Sequence, residues 1–166
     1  LLPSDSDSTP VARAAAEFLR DDDVRVAVVP SRSVVQTLAA MAVHDASVGF
    51  DDDVVTMARA SSATRYGGVT VASKEALTTA GRCQVGDVLG LVDGDIVEIG
   101  DSVPQVVLRV IDRMSSSNSE LVTLVTGADA PDDIVGVVEN HVAQALVDLE
   151  VVAGGQPHWP VIIGVE

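Results

Sequence analysis

Valine fills 32 of the 166 positions of this chain, whereas Phe, Tyr and Trp together fill four (Phe18, Phe50, Tyr66 and Trp159). A chain so rich in β-branched residues is stiff at χ1, favours extended backbone, and must build its core from aliphatic side chains. The scarcity of aromatics leaves no stacking platform for bases or sugars. Ten basic residues against 25 acidic ones give a net charge of −15, and Lys74 is the one lysine. That balance argues against nucleic acid and against anionic lipid, both of which need a cationic face. With 47% hydrophobic residues the chain is globular and not disordered. A single cysteine, Cys83, excludes an internal disulfide framework and a multi-cysteine metal site. No apolar run approaches the roughly 20 residues of a membrane span, and no basic segment leads into an apolar signal region. A cytoplasmic protein with no membrane span is the expectation. The start at Leu1, without Met and inside an apolar run, reads as a piece of a longer protein.

The order of elements predicts an α/β fold in two lobes. Leu1-Leu2-Pro3 reads as the tail of a strand. Thr9-Pro10 reads as N-cap and N1 of a helix running to about Arg20. Val11, Ala14, Ala15, Phe18 and Leu19 form its apolar face, and Asp21-Asp22-Asp23 ends it. Residues 24–29 read as a buried parallel strand. Helices follow at 34–44, capped by Ser31 or Ser33, and from Phe50, with Asp51, Asp52 and Asp53 at its positive end. Tyr66-Gly67-Gly68 reads as a hinge. The first lobe, 1–66, is therefore expected to be a parallel-strand α/β lobe, truncated at its N-terminus. The second lobe, 67–166, is expected to hold a mixed sheet: a strand at 69–73, a hairpin over 88–99 closed at Asp93-Gly94, a helix at 104–114, a strand at 120–126, a helix at 132–146, and strands at 149–153 and 161–165.

The usual chemical motifs are missing. There is no G-x-x-x-x-G-K-[ST] and no G-x-G-x-x-G loop, and Lys74 follows no glycine loop. Asp5 with Asp7, and Asp93 with Asp95, can each offer oxygens to Mg²⁺; they equally suit a solvated loop and a hairpin turn. His44, His141 and His158 match no metal-ligand spacing. A helix C-terminus explains His44, and a polar helix side explains His141. His158, in a turn, keeps a functional reading. Cys83 has no neighbouring base, and no G-x-S-x-G elbow is present. The chain alone therefore supplies no catalytic residue and no metal ligand.

Two stretches are more specific. One is Val28-Val29-Pro30-Ser31-Arg32-Ser33-Val34-Val35-Gln36, and the other is Gly154-Gly155-Gln156-Pro157-His158-Trp159-Pro160. With 69–73 and 86–94 between them, they resemble, in collinear order over nearly the whole chain, the C-terminal domain of bacterial DAK2-domain proteins. These are the ATP-binding subunits of fatty acid kinase, related to dihydroxyacetone kinase. The resemblance implies a DegV-like fold and a non-catalytic domain that docks a separate acyl-binding, DegV-type subunit. The fatty acid carboxylate is then phosphorylated by an ATP-binding domain that lies elsewhere. It implies no cofactor in this piece, Mg-ATP belonging to the parent's first domain. Two departures stand out: His158 and Trp159 follow the G-G-Q-P where the family commonly has Tyr, and Lys74-Glu75 replaces an Arg-Asp pair. The alternatives are a fatty-acid-binding domain of DegV type, with the lipid held between the lobes, and a dihydroxyacetone kinase-related phosphotransferase domain.

Physical reasoning puts the binding residues on the same two stretches. A strand leading through a polar loop into a helix is where open α/β sheets place ligands. There Ser31, Arg32, Ser33 and Gln36 either bind an anionic group or simply cap and brace the helix. In the other loop, Gly154, Gly155, Gln156, His158 and Trp159 carry the partner-binding expectation, with Trp159 as an interface anchor or as a lid over the lobe junction.

Overall fold

The computed structural model describes residues 1–19 and 24–166 and divides them into two compact units, Leu1–Thr64 and Arg65–Glu166. The expected helix stop at Asp21-Asp22-Asp23 lies outside the described residues.

The first unit contains helices α1 (Ser8–Phe18), α2 (Val34–Ala42) and α3 (Phe50–Ala63). Helix α1 starts one residue before Thr9, because Asp5 rather than Thr9 receives the first free N–H: Ser8 N donates to Asp5 Oδ1 at 2.7 Å. Its expected apolar face does not form. Val11 and Phe18 are 70% and 80% exposed, and the buried residue is Ala16. Ala12, Ala16 and Leu19, spaced i, i+4, i+7, form the less exposed stripe instead.

Residues 24–29 do not form a regular strand. They run beside the chain start and exchange two bonds with one residue: Leu1 N donates to Ala27 O at 2.6 Å, and Val29 N donates to Leu1 O at 3.0 Å. This is the pattern of a parallel pair. It ends there because Pro3 carries no N–H to give to the Val29 carbonyl. The unit's core is small, with Val29, Ala40 and Met57 buried and Leu2, Val54 and Ala58 packed against them.

The second unit holds every regular strand of the described residues. These are β1 (Arg65–Val71), β2 (Ala76–Thr78), β3 (Gly81–Cys83), β4 (Val88–Val92), β5 (Asp95–Gly100), β6 (Leu121–Thr126), β7 (Asp148–Ala153) and β8 (Val161–Val165). Six of them make one sheet in the order β5-β4-β1-β8-β6-β7, while β2 and β3 pair separately. Only β6 and β7 run parallel, joined through helix α5 (Ile134–Ala143); the other neighbours are antiparallel. The chain is thus α/β with a mixed sheet. The β4–β5 hairpin falls at the expected residues. Its turn has positive φ at both Asp93 (53°) and Gly94 (97°), as a type I′ turn requires.

Helix α4 (Val103–Met114) presents Val106, Val107, Val110, Ile111 and Met114 to the sheet, all buried, at the spacing the sequence predicts. Pro104 lies in its first turn, where no N–H is needed. Arg65 closes its other end, donating to the carbonyls of Arg113 (3.0 Å) and Met114 (3.1 Å) while pairing with Asp93 (2.9 Å).

Tyr66-Gly67-Gly68 is not a hinge but lies within β1. Its glycines serve close packing. A Cβ on Gly67 would stand 2.6 Å from Met114 Sδ and 2.9 Å from Val110 Cγ1, so α4 rides directly on the strand. The short β2–β3 pair escapes sequence detection because three residues per strand show no periodicity.

Candidate functional site

Ser31, Arg32, Ser33 and Gln36 lie together at the start of α2 in the first unit. The buried Ser31 hydroxyl donates to the Pro3 carbonyl, which also accepts from Thr37 Oγ1 at 3.2 Å. Gln36 bridges two backbone groups: its Oε1 accepts from Arg32 N at 2.8 Å, and its Nε2 donates to Thr64 O at 2.9 Å. Ser33 occupies the N-cap position in extended conformation, yet its side chain makes no cap bond. The polar side chains of Ser31 and Gln36 are therefore engaged in tying α2 to the chain start and to the end of α3. Arg32 points its charge from an exposed position.

Gly154, Gly155, Gln156, His158 and Trp159 connect β7 to β8 in the second unit, at the C-terminal ends of the parallel strands β6 and β7. The loop is fastened along its whole length. Gly154 N and Gly155 N both donate to Thr126 O, at 3.0 and 2.9 Å. Gln156 Nε2 donates to Trp159 O at 3.0 Å and to Val125 O at 3.3 Å, stapling the loop to itself and to β6. Ala128 N donates to Gln156 O at 3.0 Å, and Thr70 Oγ1 of β1 donates to His158 O at 2.7 Å.

The half-buried Trp159 ring lies against Gly68. The loop also passes so close to Gly127 that a Cβ there would stand 2.1 Å from Trp159 O. Pro157 and His158 form the exposed tip, with His158 at φ 66°. The result is a rigid loop with an imidazole and a proline ring at its crest. Sequence reasoning found the loop but missed its supports. Thr70, Val125 and Gly127 are far from it in the chain and carry no motif of their own, although a glycine directly after strand β6 was a visible signal.

The other histidines have partners. His44 Nδ1 lies 2.7 Å from Asp53 Oδ2, and Asp45 N donates to Asp53 Oδ1 at 3.0 Å. That Asp45 N–H bond, with the neighbouring His44, holds the Asp53 carboxyl below its ordinary range despite burial. His141 Nε2 lies 2.7 Å from Asp112. His44 thus has a specific carboxylate partner as well as a place after a helix end. Asp5 is likewise held below its ordinary range by the Ser8 N–H and hydroxyl at the start of α1.

Matched against known families, residues 1–166 fit the FakA-like C-terminal family, named for a fatty acid kinase component. The chain belongs to that family. It is 28% identical over 168 residues to an uncharacterized protein of Staphylococcus haemolyticus, covering all of this chain and 30% of that protein. Uncharacterized proteins of two Staphylococcus aureus strains, USA300 and NCTC 8325, are 23% identical over the same length and share. The chain thus spans about 30% of the length of the curated relatives it matches. Among the described residues of this FakA-like domain, no three or more His, Cys, Asp or Glu side chains gather in a cluster fit to hold a metal ion. Among the same residues no helix is long and apolar enough to cross a membrane.

Proposed function

We propose that this FakA-like C-terminal domain docks the acyl-carrying component of the kinase, a protein of DegV type. Docking presents the bound fatty acid's carboxylate to an ATP-binding domain outside these residues. The observation that carries this reading is the fastened loop of residues 154–160. Its bonds to Val125, Thr126, Ala128 and Thr70 fix the shape of an exposed tip before any partner arrives. A preformed loop loses little conformational entropy on binding, so its contacts go into affinity. Trp159 gives the tip a rigid aromatic base, and the His158 imidazole is its polar contact. The −15 charge of the chain suits a basic face on the partner, with an association rate that falls as salt rises.

The test is titration of the complete chain with the acyl-loaded partner protein, comparing wild type with His158→Gly. Glycine removes the imidazole and relieves the positive φ, so the fold is kept while the contact is lost. Binding weakened about tenfold supports the reading; unchanged binding removes the loop from the interface.

A further inference from the structure

Strands β5 and β7 are the two edges of the six-stranded sheet, and among the described residues they are built differently. On β5 the pairing register shifts between Gly90 and Leu91 of its neighbour, and Thr79 Oγ1 donates to Ile96 O. Arg109 and Arg113 hold the Glu98 carboxylate beside it. Bulges, side-chain bonds and long cationic side chains are what keep an edge from pairing with another chain. On β7 they are missing. Its six residues pair with β6 in unbroken register and include no Pro, Lys or Arg. Asp148 N donates to Glu120 O at 2.9 Å, and Gly154 N donates to Thr126 O at 3.0 Å. Backbone groups alternate along a strand, so Asp148, Glu150 and Val152 turn theirs toward β6, while Leu149, Val151 and Ala153 turn theirs outward. No other strand of the described residues pairs with that outer side.

The side chains along this edge decide what fits it. The exposed Asp148 and Glu150 share one face, and Leu149 and the 42% exposed Val151 share the other. No Lys or Arg follows Arg113, and residues 120–153 carry seven carboxylates. A second copy of β7 would therefore set carboxylates against carboxylates, whereas a basic strand would pair with them. We propose that β7 accepts an extended segment of another protein as an added outer strand. Lys or Arg alternates with Val or Ile in that segment, so that its basic side chains meet Asp148 and Glu150 and its apolar ones extend the face of Leu149 and Val151. The site is the backbone edge at 149–153 and not the loop tip at His158. Its occupancy needs no acyl-carrying protein, so its failure and that of the docking reading are distinguishable.

The 166-residue chain, isotope-labelled at its amides, is titrated with the peptide Lys-Val-Lys-Val-Lys-Val and followed by NMR. The amides of Leu149, Val151 and Ala153 are expected to shift saturably and to exchange more slowly, while those of β5 stay in place. Glu-Val-Glu-Val-Glu-Val, which sets like charges face to face, and Lys-Lys-Lys-Val-Val-Val, which loses the alternation, should each bind about tenfold more weakly. Val151→Pro removes an outward N–H and leaves the ladder to β6 intact. It should weaken the basic peptide about tenfold, whereas Val151→Ala, which keeps that N–H, should stay within about threefold of wild type. The double variant Asp148→Asn, Glu150→Gln keeps every backbone group and should weaken binding about fivefold; it decides alone if proline disturbs the strand. The proposal is overturned by shifts that do not saturate, by equal shifts on β5, by either control peptide binding as tightly as the alternating one, or by the double variant binding like wild type. Self-association of the chain without peptide, abolished by Val151→Pro, would make a second copy the occupant and overturn it as well.

Discussion

The Trp159 ring packs on Gly68 so closely that a Cβ at that glycine would stand 3.1 Å from ring atoms Cε3 and Cζ3. One strand residue without a side chain therefore seats the only tryptophan of the chain and, through it, the loop of residues 154–160. Gly127 supports the loop from below under a harder constraint, because there the clashing neighbour is the Trp159 carbonyl, which is backbone and cannot rotate away.

Gly127→Ala should accordingly cost more than Gly68→Ala. Overpacking of this kind costs about 1–3 kcal/mol, and Gly127→Ala is expected in the upper part of that range. Urea unfolding followed by the emission of Trp159 reads both the stability and the environment of the loop. Equal, negligible losses for the two variants would show that the loop is not held as described.

Gln36 is the corresponding brace of the first unit, joining Arg32 N to Thr64 O. Gln36→Ala removes both bonds, a loss of about 1–3 kcal/mol. Hydrogen exchange should report it as faster exchange in α2 and at the end of α3, with the sheet of the second unit unchanged. A uniform change across both units would contradict a local brace.

The His44–Asp53 pair makes the acid stability of the first unit depend on Asp53. Its folded pKa lies below the ordinary 3.8 because Asp45 N–H and His44 favour the carboxylate. The stabilisation is therefore present above that ordinary value and lost as pH falls through the lower, folded one. Asp53→Asn should be less stable than wild type near neutrality. The gap should narrow as pH falls from about 5 to about 2. A gap that stays constant over that interval would mean Asp53 contributes through packing alone.

Leu124 and Ile163, paired across β6 and β8, are both fully buried in the main core. Leu124→Ala is expected to cost about 2–5 kcal/mol, with the α4 face of the sheet losing protection together. A loss below about 1 kcal/mol would indicate that the valine-rich core closes around the vacancy.

The second unit was largely legible from sequence. Its strands alternate with turn residues, Asp93-Gly94 specifies its turn, and α4 carries its stripe at helical spacing. The first unit was less so, because its apolar residues do not report their neighbours. The run at 24–29 is β-branched enough for a strand, yet its pairing with the chain start stops after two bonds, where Pro3 has no N–H to give. The apolar residues of α1 lie mostly outward. Of the two candidate loops, Gly154–Trp159 was recognisable as a unit, whereas its supports at Thr70, Val125 and Gly127 depend on sheet order, which no local motif encodes. The two glycines at 67 and 68 illustrate the ambiguity: the same pair suits a hinge and a strand under a close-packed helix.

The most direct measurement is calorimetric titration of the 166-residue chain with the proposed acyl-loaded partner, beside the same titration after exchange of His158 for glycine. Saturable one-to-one binding by the parent chain, and about tenfold weaker binding by the variant with its unfolding midpoint preserved, is the predicted result. Absence of any heat of binding, or identical affinities for the two chains, would contradict a docking role for this loop.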